Sequence, residues 1–139
     1  ADHSVVCDSN GLCYTFGNND KGQIGHRYLE MQYEPYIFQK STDPDNKNKF
    51  IFETTKIIDV EAGQCHTVLL TSTNDVVTFG SNHYKQCSTV DKNAIICFGH
   101  RLMRHEEIGI TSDTYIERII ASANSTIILI NMAKKLKIL

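Results

Sequence analysis

The chain has little net charge and lacks any long apolar run. Its 139 residues carry a formal net charge of −2, whereas nucleic-acid-binding domains are usually strongly basic. The composition therefore argues against nucleic-acid binding as the main function. No apolar stretch approaches the roughly 20 residues that a membrane-spanning helix needs, and the first residues show no signal-peptide pattern. We therefore expect neither a membrane helix nor a secretory leader.

The sequence also lacks the motifs of common enzyme and cofactor sites. The glycine-rich stretch from Gly17 to Gly25 has no strand-to-helix context, so it does not match a nucleotide-binding loop. His105-Glu106-Glu107 lacks the second histidine of the zinc-protease helix motif. No Ser, His and Asp arrangement stands out. We therefore expect no catalytic residue, no cofactor and no enzyme activity.

The cysteines form an odd and scattered set of five. Three of them lie in strand-like apolar runs, where cysteine behaves as a small buried hydrophobe. Such a set favours a reducing compartment over a disulfide framework, so we expect an intracellular location, cytoplasmic or nuclear. The glycosylation sequon Asn124-Ser125-Thr126 lies within a strand-like run, where a chance match is the simpler interpretation. The cysteines are Cys7, Cys13, Cys65, Cys87 and Cys97.

One zinc site can be drawn from the sequence, and we keep a metal-binding regulatory module as an alternative function. Cys97 and His100 have Cys-x-x-His spacing, and Cys87 and His105 flank them. A tetrahedral zinc site takes such ligands. However, no Cys-x-x-Cys pair supports the site, and Cys87 occupies a repeat position that Ile24 takes elsewhere. Core and surface roles are the better interpretation, so we predict no metal ligand.

What the sequence does contain is an internal repeat. The residues from His3 to Asn19 recur as His66 to Asn82 at a constant offset of 63 residues. Each copy is an apolar run, a turn, a second apolar run and a glycine, which predicts a β-hairpin; Asn10-Gly11 is a strong hairpin-turn signal. A partial third copy aligns Ile57–Leu70 with Ile116–Leu129 at an offset of 59 residues. Fixed-period similarity indicates a stacked or radial architecture, in which one unit cannot bury its apolar face alone.

Two segments resemble the two halves of the regulator of chromosome condensation repeat, namely Tyr14–Gly25 and Ile58–Thr71. That family folds as a seven-bladed β-propeller of four-stranded antiparallel blades. The resemblance implies an all-β chain that forms part of such a propeller. We expect one partial domain over residues 1–139, with units at about 1–56, 57–115 and 116–139, and a segment that does not close a propeller alone. Lys85 and Ser88 depart from the pattern, because they replace the first unit's glycines.

Seven residues form the structural signature of these units. We expect Gly17 and Gly80 to end strands at a bend, and Gly63 to lie where backbones crowd, because glycine has no Cβ. A buried polar ring needs a hydrogen-bond partner, so the two histidines are predicted to tie adjacent strands. The signature residues are His3, Gly17, Gly22, Gly25, Gly63, His66 and Gly80.

The connection from His26 to Tyr36 is the candidate partner-binding region. It concentrates Arg27, Tyr28, Met31 and Tyr33, which are residue types that anchor protein interfaces. The alternative is an ordinary connection whose aromatic side chains cover the edge of a blade.

The resemblance implies a non-enzymatic platform for protein–protein interaction, whose partner is another protein. The alternative function is guanine-nucleotide exchange on a Ran-like small GTPase, by loop insertion and with chromatin association, as in some members of the family. Among the segments between the signatures, we predict strands at Pro35–Phe38 and Ala94–Gly99, a small strand or anchor at Phe50–Phe52, and a helical turn at Leu102–Ile108.

Overall fold

The protein forms three antiparallel β-sheets and almost no helix. The structure is a computed structural model that describes residues 2–40, 55–87, 95–103 (only the backbone for 97–103), 109 and 111–132. Sheet 1 contains β1 (His3–Cys7), β2 (Cys13–Gly17) and β3 (Gln32–Ile37), and sheet 2 contains β4 (Ile57–Ala62), β5 (His66–Thr71), β6 (Val76–Ser81) and β7 (Ile96–Met103). Sheet 3 contains β8 (Thr114–Ala121) and β9 (Thr126–Met132). No helix among the described residues has the length and apolar character that crossing a membrane requires.

The sequence repeat is a structural repeat. In the β1–β2 hairpin His3 pairs with Gly17, and in the β5–β6 hairpin His66 pairs with Gly80. Both second strands bulge just before this glycine, and both glycines have positive φ, 106° and 110°. A Cβ there would also press on the backbone of the neighbouring strand, so the bulge requires glycine.

Sheet 2 lies between the other two sheets and contributes to both hydrophobic cores. Every residue of β5 and β6 is buried, because one face of the hairpin packs on sheet 1 and the other on sheet 3. The nearly continuous apolar runs of both strands in the sequence suit strands that are covered on two faces. The core towards sheet 1 contains Cys13, Phe38, Ile57, Leu69, Val77 and Phe79. The core towards sheet 3 contains Val68, Leu70, Val76, Ile116 and Ile119.

The all-β partial propeller is confirmed, and the strand predicted at Pro35–Phe38 is confirmed over Pro35–Ile37 but not at Phe38. β3 begins at Gln32 and ends at Ile37, and Phe38 enters a 3₁₀ turn in which it is buried against Phe79, with 5.2 Å between the ring centroids. Leu102 and Met103, the first two residues of the helical turn predicted at Leu102–Ile108, belong to β7 instead, because pairing with β6 satisfies their backbone groups. Residues 104–108 of that prediction lie outside the described residues.

Of two other local predictions, the one for the location of the sequon at Asn124 is wrong and the one for a strand at Ala94–Gly99 is confirmed. Asn124 lies in the exposed turn between β8 and β9 rather than inside a strand-like run. The Ala94–Gly99 stretch does supply a strand of the second unit, since β7 is the fourth strand of sheet 2. The predicted element at residues 50–52 lies outside the described residues.

Replacing Phe79 by alanine tests the core between sheets 1 and 2. The ring is fully buried and stacks on Phe38. We expect Phe79→Ala to lower the free energy of unfolding by about 3–5 kcal/mol, because the substitution loses the transfer energy of the ring and leaves a cavity. Urea unfolding followed by circular dichroism measures the loss. Val6→Ala, at a half-exposed position, is the control, and a loss below about 0.5 kcal/mol for Phe79→Ala, the range of ordinary surface substitutions, would contradict the placement.

Candidate functional site

A hydrogen-bond relay joins sheet 1 to sheet 2. His3 Nε2 lies 2.9 Å from Thr67 Oγ1, and the Thr67 hydroxyl donates to the backbone carbonyl of Gln23 at 2.7 Å. Because the single hydroxyl proton is used on Gln23, His3 must donate from Nε2. All three groups are buried. The relay therefore links the start of one sheet, the middle of the next sheet and the loop that follows β2.

A second, equivalent relay joins sheet 2 to sheet 3. His66 Nε2 lies 3.0 Å from Thr126 Oγ1, and the Thr126 hydroxyl donates to the carbonyl of Gln86 at 2.7 Å. Each histidine thus bonds to the neighbouring sheet. The prediction that these rings tie adjacent strands was wrong on this point, since the two groups that meet belong to different repeat units.

Both relay histidines are held neutral. The Nδ1 atoms of His3 and His66 are buried and have no hydrogen-bond partner among the described residues. Burial lowers the pKa of His3 to about 4 and also lowers the pKa of His66, because a charged ring would lose its hydration. A neutral ring that is already committed to a threonine has a structural role.

Gly63 makes room for the His66 ring. A Cβ at Gly63 would overlap this ring and the carbonyl oxygen of Ser122. In the third unit the residues at the two positions are Ser122 and Ser125, so the glycine and the histidine are replaced together. The crowding at Gly63 thus comes from a side chain as well as from the neighbouring backbone.

Asn19 orders the segment that carries the predicted surface residues. Its Oδ1 accepts from the backbone N–H of Ile24 at 2.9 Å. Its Nδ2 donates to the carbonyl oxygens of His26, at 2.9 Å, and Tyr28. The sequence prediction missed Asn19, although its recurrence as Asn82 at the 63-residue offset was a usable signal; Asn82 Oδ1 accepts from the N–H of Cys87 in the same way, at 3.0 Å.

The four predicted surface residues lie together in sequence and are exposed. Tyr28 is 60% exposed, Met31 50% and Tyr33 83%, and Arg27 is exposed as well. Tyr33 lies on β3 rather than in the connection, because this strand begins at Gln32. The group therefore spans a short loop and the strand that follows it.

Ring contacts hold the loop part of this surface. The Arg27 guanidinium carbon lies 5.2 Å from the centroid of the Tyr28 ring, a cation–π distance. The His26 ring lies 4.9 Å from the Tyr28 ring and 5.1 Å, edge-on, from the Tyr36 ring. Tyr28 is exposed but still packs on the side chains of His26 and Arg27, and Asn19 holds the backbone of this loop.

Two family models, both described as "Regulator of chromosome condensation (RCC1) repeat", match this chain. One model matches residues 10–70 and the other matches residues 57–86. The chain belongs to the RCC1 repeat family. It is 31% identical over 90 residues to an RCC1 repeat-containing protein of Dictyostelium discoideum, a match that covers 65% of this chain and 17% of the relative. It is 25% identical over 114 residues to the guanine nucleotide exchange factor SRM1 of Saccharomyces cerevisiae, covering 80% of this chain and 22% of the relative.

A solved structure shares the fold of this RCC1 segment. The structure of human WBSCR16 superposes with a TM-score of 0.71 at 15% identity, covering 92% of this chain and 28% of that protein. The RCC1 chain therefore spans less than a third of the length of each of these three proteins.

The cysteines of this RCC1 segment are thiols in the described residues. Cys7, Cys13, Cys65 and Cys87 lie outside any disulfide. Burial raises the pKa of Cys13 to about 12 and also raises the pKa of Cys7, which makes both thiols poor nucleophiles.

The zinc alternative receives no support from the described part of the chain. Cys87 is buried and donates to the carbonyl oxygen of Ser81 at 3.2 Å. No group of three potential ligands occurs in residues 2–40, 55–87 and 111–132. The side chains of Cys97 and His100, and the whole of His105, lie outside the described residues.

Replacing Thr67 by valine tests the relay between sheets 1 and 2. Valine keeps the shape of threonine but leaves the His3 N–H and the Gln23 carbonyl unpaired. We expect a loss of about 2 kcal/mol in the free energy of unfolding, because buried polar groups without partners are costly. Urea unfolding measures the loss, and Thr67→Ser, which keeps the hydroxyl, is the matched control. A valine variant as stable as the natural chain would show that the relay contributes nothing.

Proposed function

We propose that this RCC1 segment is part of a non-enzymatic intracellular platform that binds another protein. The units at residues 1–56, 57–115 and 116–139 would each contribute one of the three sheets to it. The observation that carries the proposal is the surface formed by Arg27, Tyr28, Met31 and Tyr33. These side chains are exposed while the backbone of the loop is held by Asn19.

The chemistry of this surface favours a protein partner. Tyrosine and arginine are enriched among the residues that dominate binding energies in protein interfaces. A loop ordered before binding loses less conformational entropy when the partner docks. The buried thiols Cys13 and Cys87, which form no disulfide, fit the reducing interior of a cell.

A double truncation of Tyr28 and Tyr33 tests the platform. We expect Tyr28→Ala and Tyr33→Ala each to weaken partner binding by about 2 kcal/mol if the rings are hot spots, with the thermal melting curve unchanged because both rings are exposed. Pulldown from cell extract beside circular dichroism melting measures both effects. Tyr115→Ala, at an exposed tyrosine of sheet 3, is the matched control. If a well-folded double variant recovers the partner as the natural chain does, this surface is not the binding site. If the variant loses stability with no separate effect on binding, the two rings serve to cover the edge of the blade.

Guanine-nucleotide exchange on a small GTPase is the second candidate. The observation that supports it is the match to an exchange factor, which covers 80% of this chain at 25% identity. A nucleotide-release assay with a Ran-type GTPase and fluorescent GDP tests it. Exchange predicts faster GDP release in the presence of the chain and slower release after loss of the surface residues. Release at the intrinsic rate would leave the binding platform as the function.

A further inference from the structure

The loops that follow β2 and β6 are equivalent in backbone shape but differ in their charged groups, since Asp20, Lys21 and Gly22 are replaced by His83, Tyr84 and Lys85. The first loop covers residues 18–24 and the second loop covers residues 81–87, again at the 63-residue offset. Both fold alike: Thr15 and Thr78 donate to the loop carbonyls of Ile24 and Cys87, at 2.7 and 2.6 Å. The position of Asp20 in the first loop is taken by His83 in the second loop.

In the first loop the Asp20 carboxylate completes the hydrogen bonds of a buried glutamine. Gln23 Oε1 accepts from the backbone N–H of Lys21 at 2.8 Å, and Gln23 Nε2 donates to Asp20 Oδ1 at 3.2 Å. The Lys21 ammonium lies 3.3 Å from the other carboxylate oxygen of Asp20. Both polar atoms of the Gln23 amide are thus paired within the loop.

In the second loop the equivalent glutamine has an unpaired donor. Gln86 Oε1 accepts from the backbone N–H of Tyr84 at 2.9 Å, which fixes the orientation of the amide. Gln86 Nε2 is buried and has no hydrogen-bond partner among the described residues, and Gln86 is only 5% exposed. A buried donor without an acceptor destabilises the loop, and an acceptor at this point would recover that free energy.

The second loop carries a positive charge and no acidic group. Residues 81–87 include Lys85 but no Asp or Glu. Lys85 has a φ of 64° at the position where the first loop has Gly22, with a φ of 75°. The loop thus keeps its backbone shape with a lysine in a conformation that favours glycine, and such retained strain is typical of functional positions.

We propose that the second loop binds an acidic side chain, Asp or Glu, of a protein partner. The partner's carboxylate accepts from Gln86 Nε2, as Asp20 accepts from Gln23 Nε2 in the first loop. His83 and Tyr84 are exposed, with their rings edge-on at 4.8 Å, and binding requires that Gln86 Nε2, which is buried in the free chain, become accessible to the carboxylate. The inference rests on the proposed interaction function but uses a surface other than the Arg27–Tyr33 group.

Paired synthetic peptides test this acidic preference with the full chain. Each peptide of an immobilised set is made in two versions, one with Asp or Glu and one with Asn or Gln at the same position. We expect the chain to capture acidic versions about tenfold better, equivalent to about 1.4 kcal/mol, because a hydrogen bond to a charged acceptor is stronger than one to an amide. Equal capture of the two versions, or capture of neither version, overturns the proposal.

Substitutions of His83 separate the site from a general charge effect. His83→Asp and His83→Asn both place an oxygen acceptor where Asp20 lies in the first loop, but only aspartate adds a negative charge. We expect both variants to lose the acidic preference and to melt at a higher temperature than the natural chain. Loss in His83→Asp with full retention in His83→Asn would show simple charge repulsion and overturn the proposal.

The reciprocal change gives a gain-of-function control. Asp20→His removes the first loop's own carboxylate and leaves Gln23 Nε2 unpaired, so we expect new capture of acidic peptides, provided that circular dichroism shows an intact fold. The double Tyr28→Ala, Tyr33→Ala variant should retain acidic capture. If that variant loses partner binding while the natural chain shows no acidic preference, this inference fails and the proposed platform stands.

Discussion

The orientation of each sheet on the next depends on the bond from a histidine ring to a threonine hydroxyl of the neighbouring sheet. Apolar contact drives the sheets together, but it is not directional, so many rotations of one sheet on another would bury similar area. A buried histidine ring that must lie within 3.0 Å of a threonine hydroxyl is compatible with few of these rotations. Since the same hydroxyl binds the loop of the previous unit, sheet, neighbour and loop are oriented together.

The relay divides the positions of a unit into two groups. The first group holds the sheets together and has no exposed functional group; it includes Gly63, His66 and Thr67. The exposed loop residues can differ between units without disturbing the relay, because only the carbonyl of Gln23 or Gln86 takes part in it. Differences such as Asp20 against His83 therefore occur where partners would meet the protein.

Much of the fold followed from local pattern. A β-hairpin is closed by its own turn, so the recurrence of apolar run, turn and glycine was enough to predict β1–β2 and β5–β6. Segments without that periodicity were harder: β3 began earlier than predicted, and Leu102 was assigned to a turn. Their strand character depends on pairing with β2 and β6, which a local window does not contain. The exposure of the candidate surface was anticipated, whereas its support by Asn19 and His26 was not.

The sequence by itself determined the repeat, the family and the burial of β5 and β6, because each of these depends on the types of residue and on their spacing along the chain. Tertiary structure alone decided which groups meet across sheets. His3 reaches Thr67 over a separation of 64 residues, and Gln86 is left with an unpaired donor. Such contacts depend on the rotation of one sheet against the next, and that rotation results from packing over the whole interface.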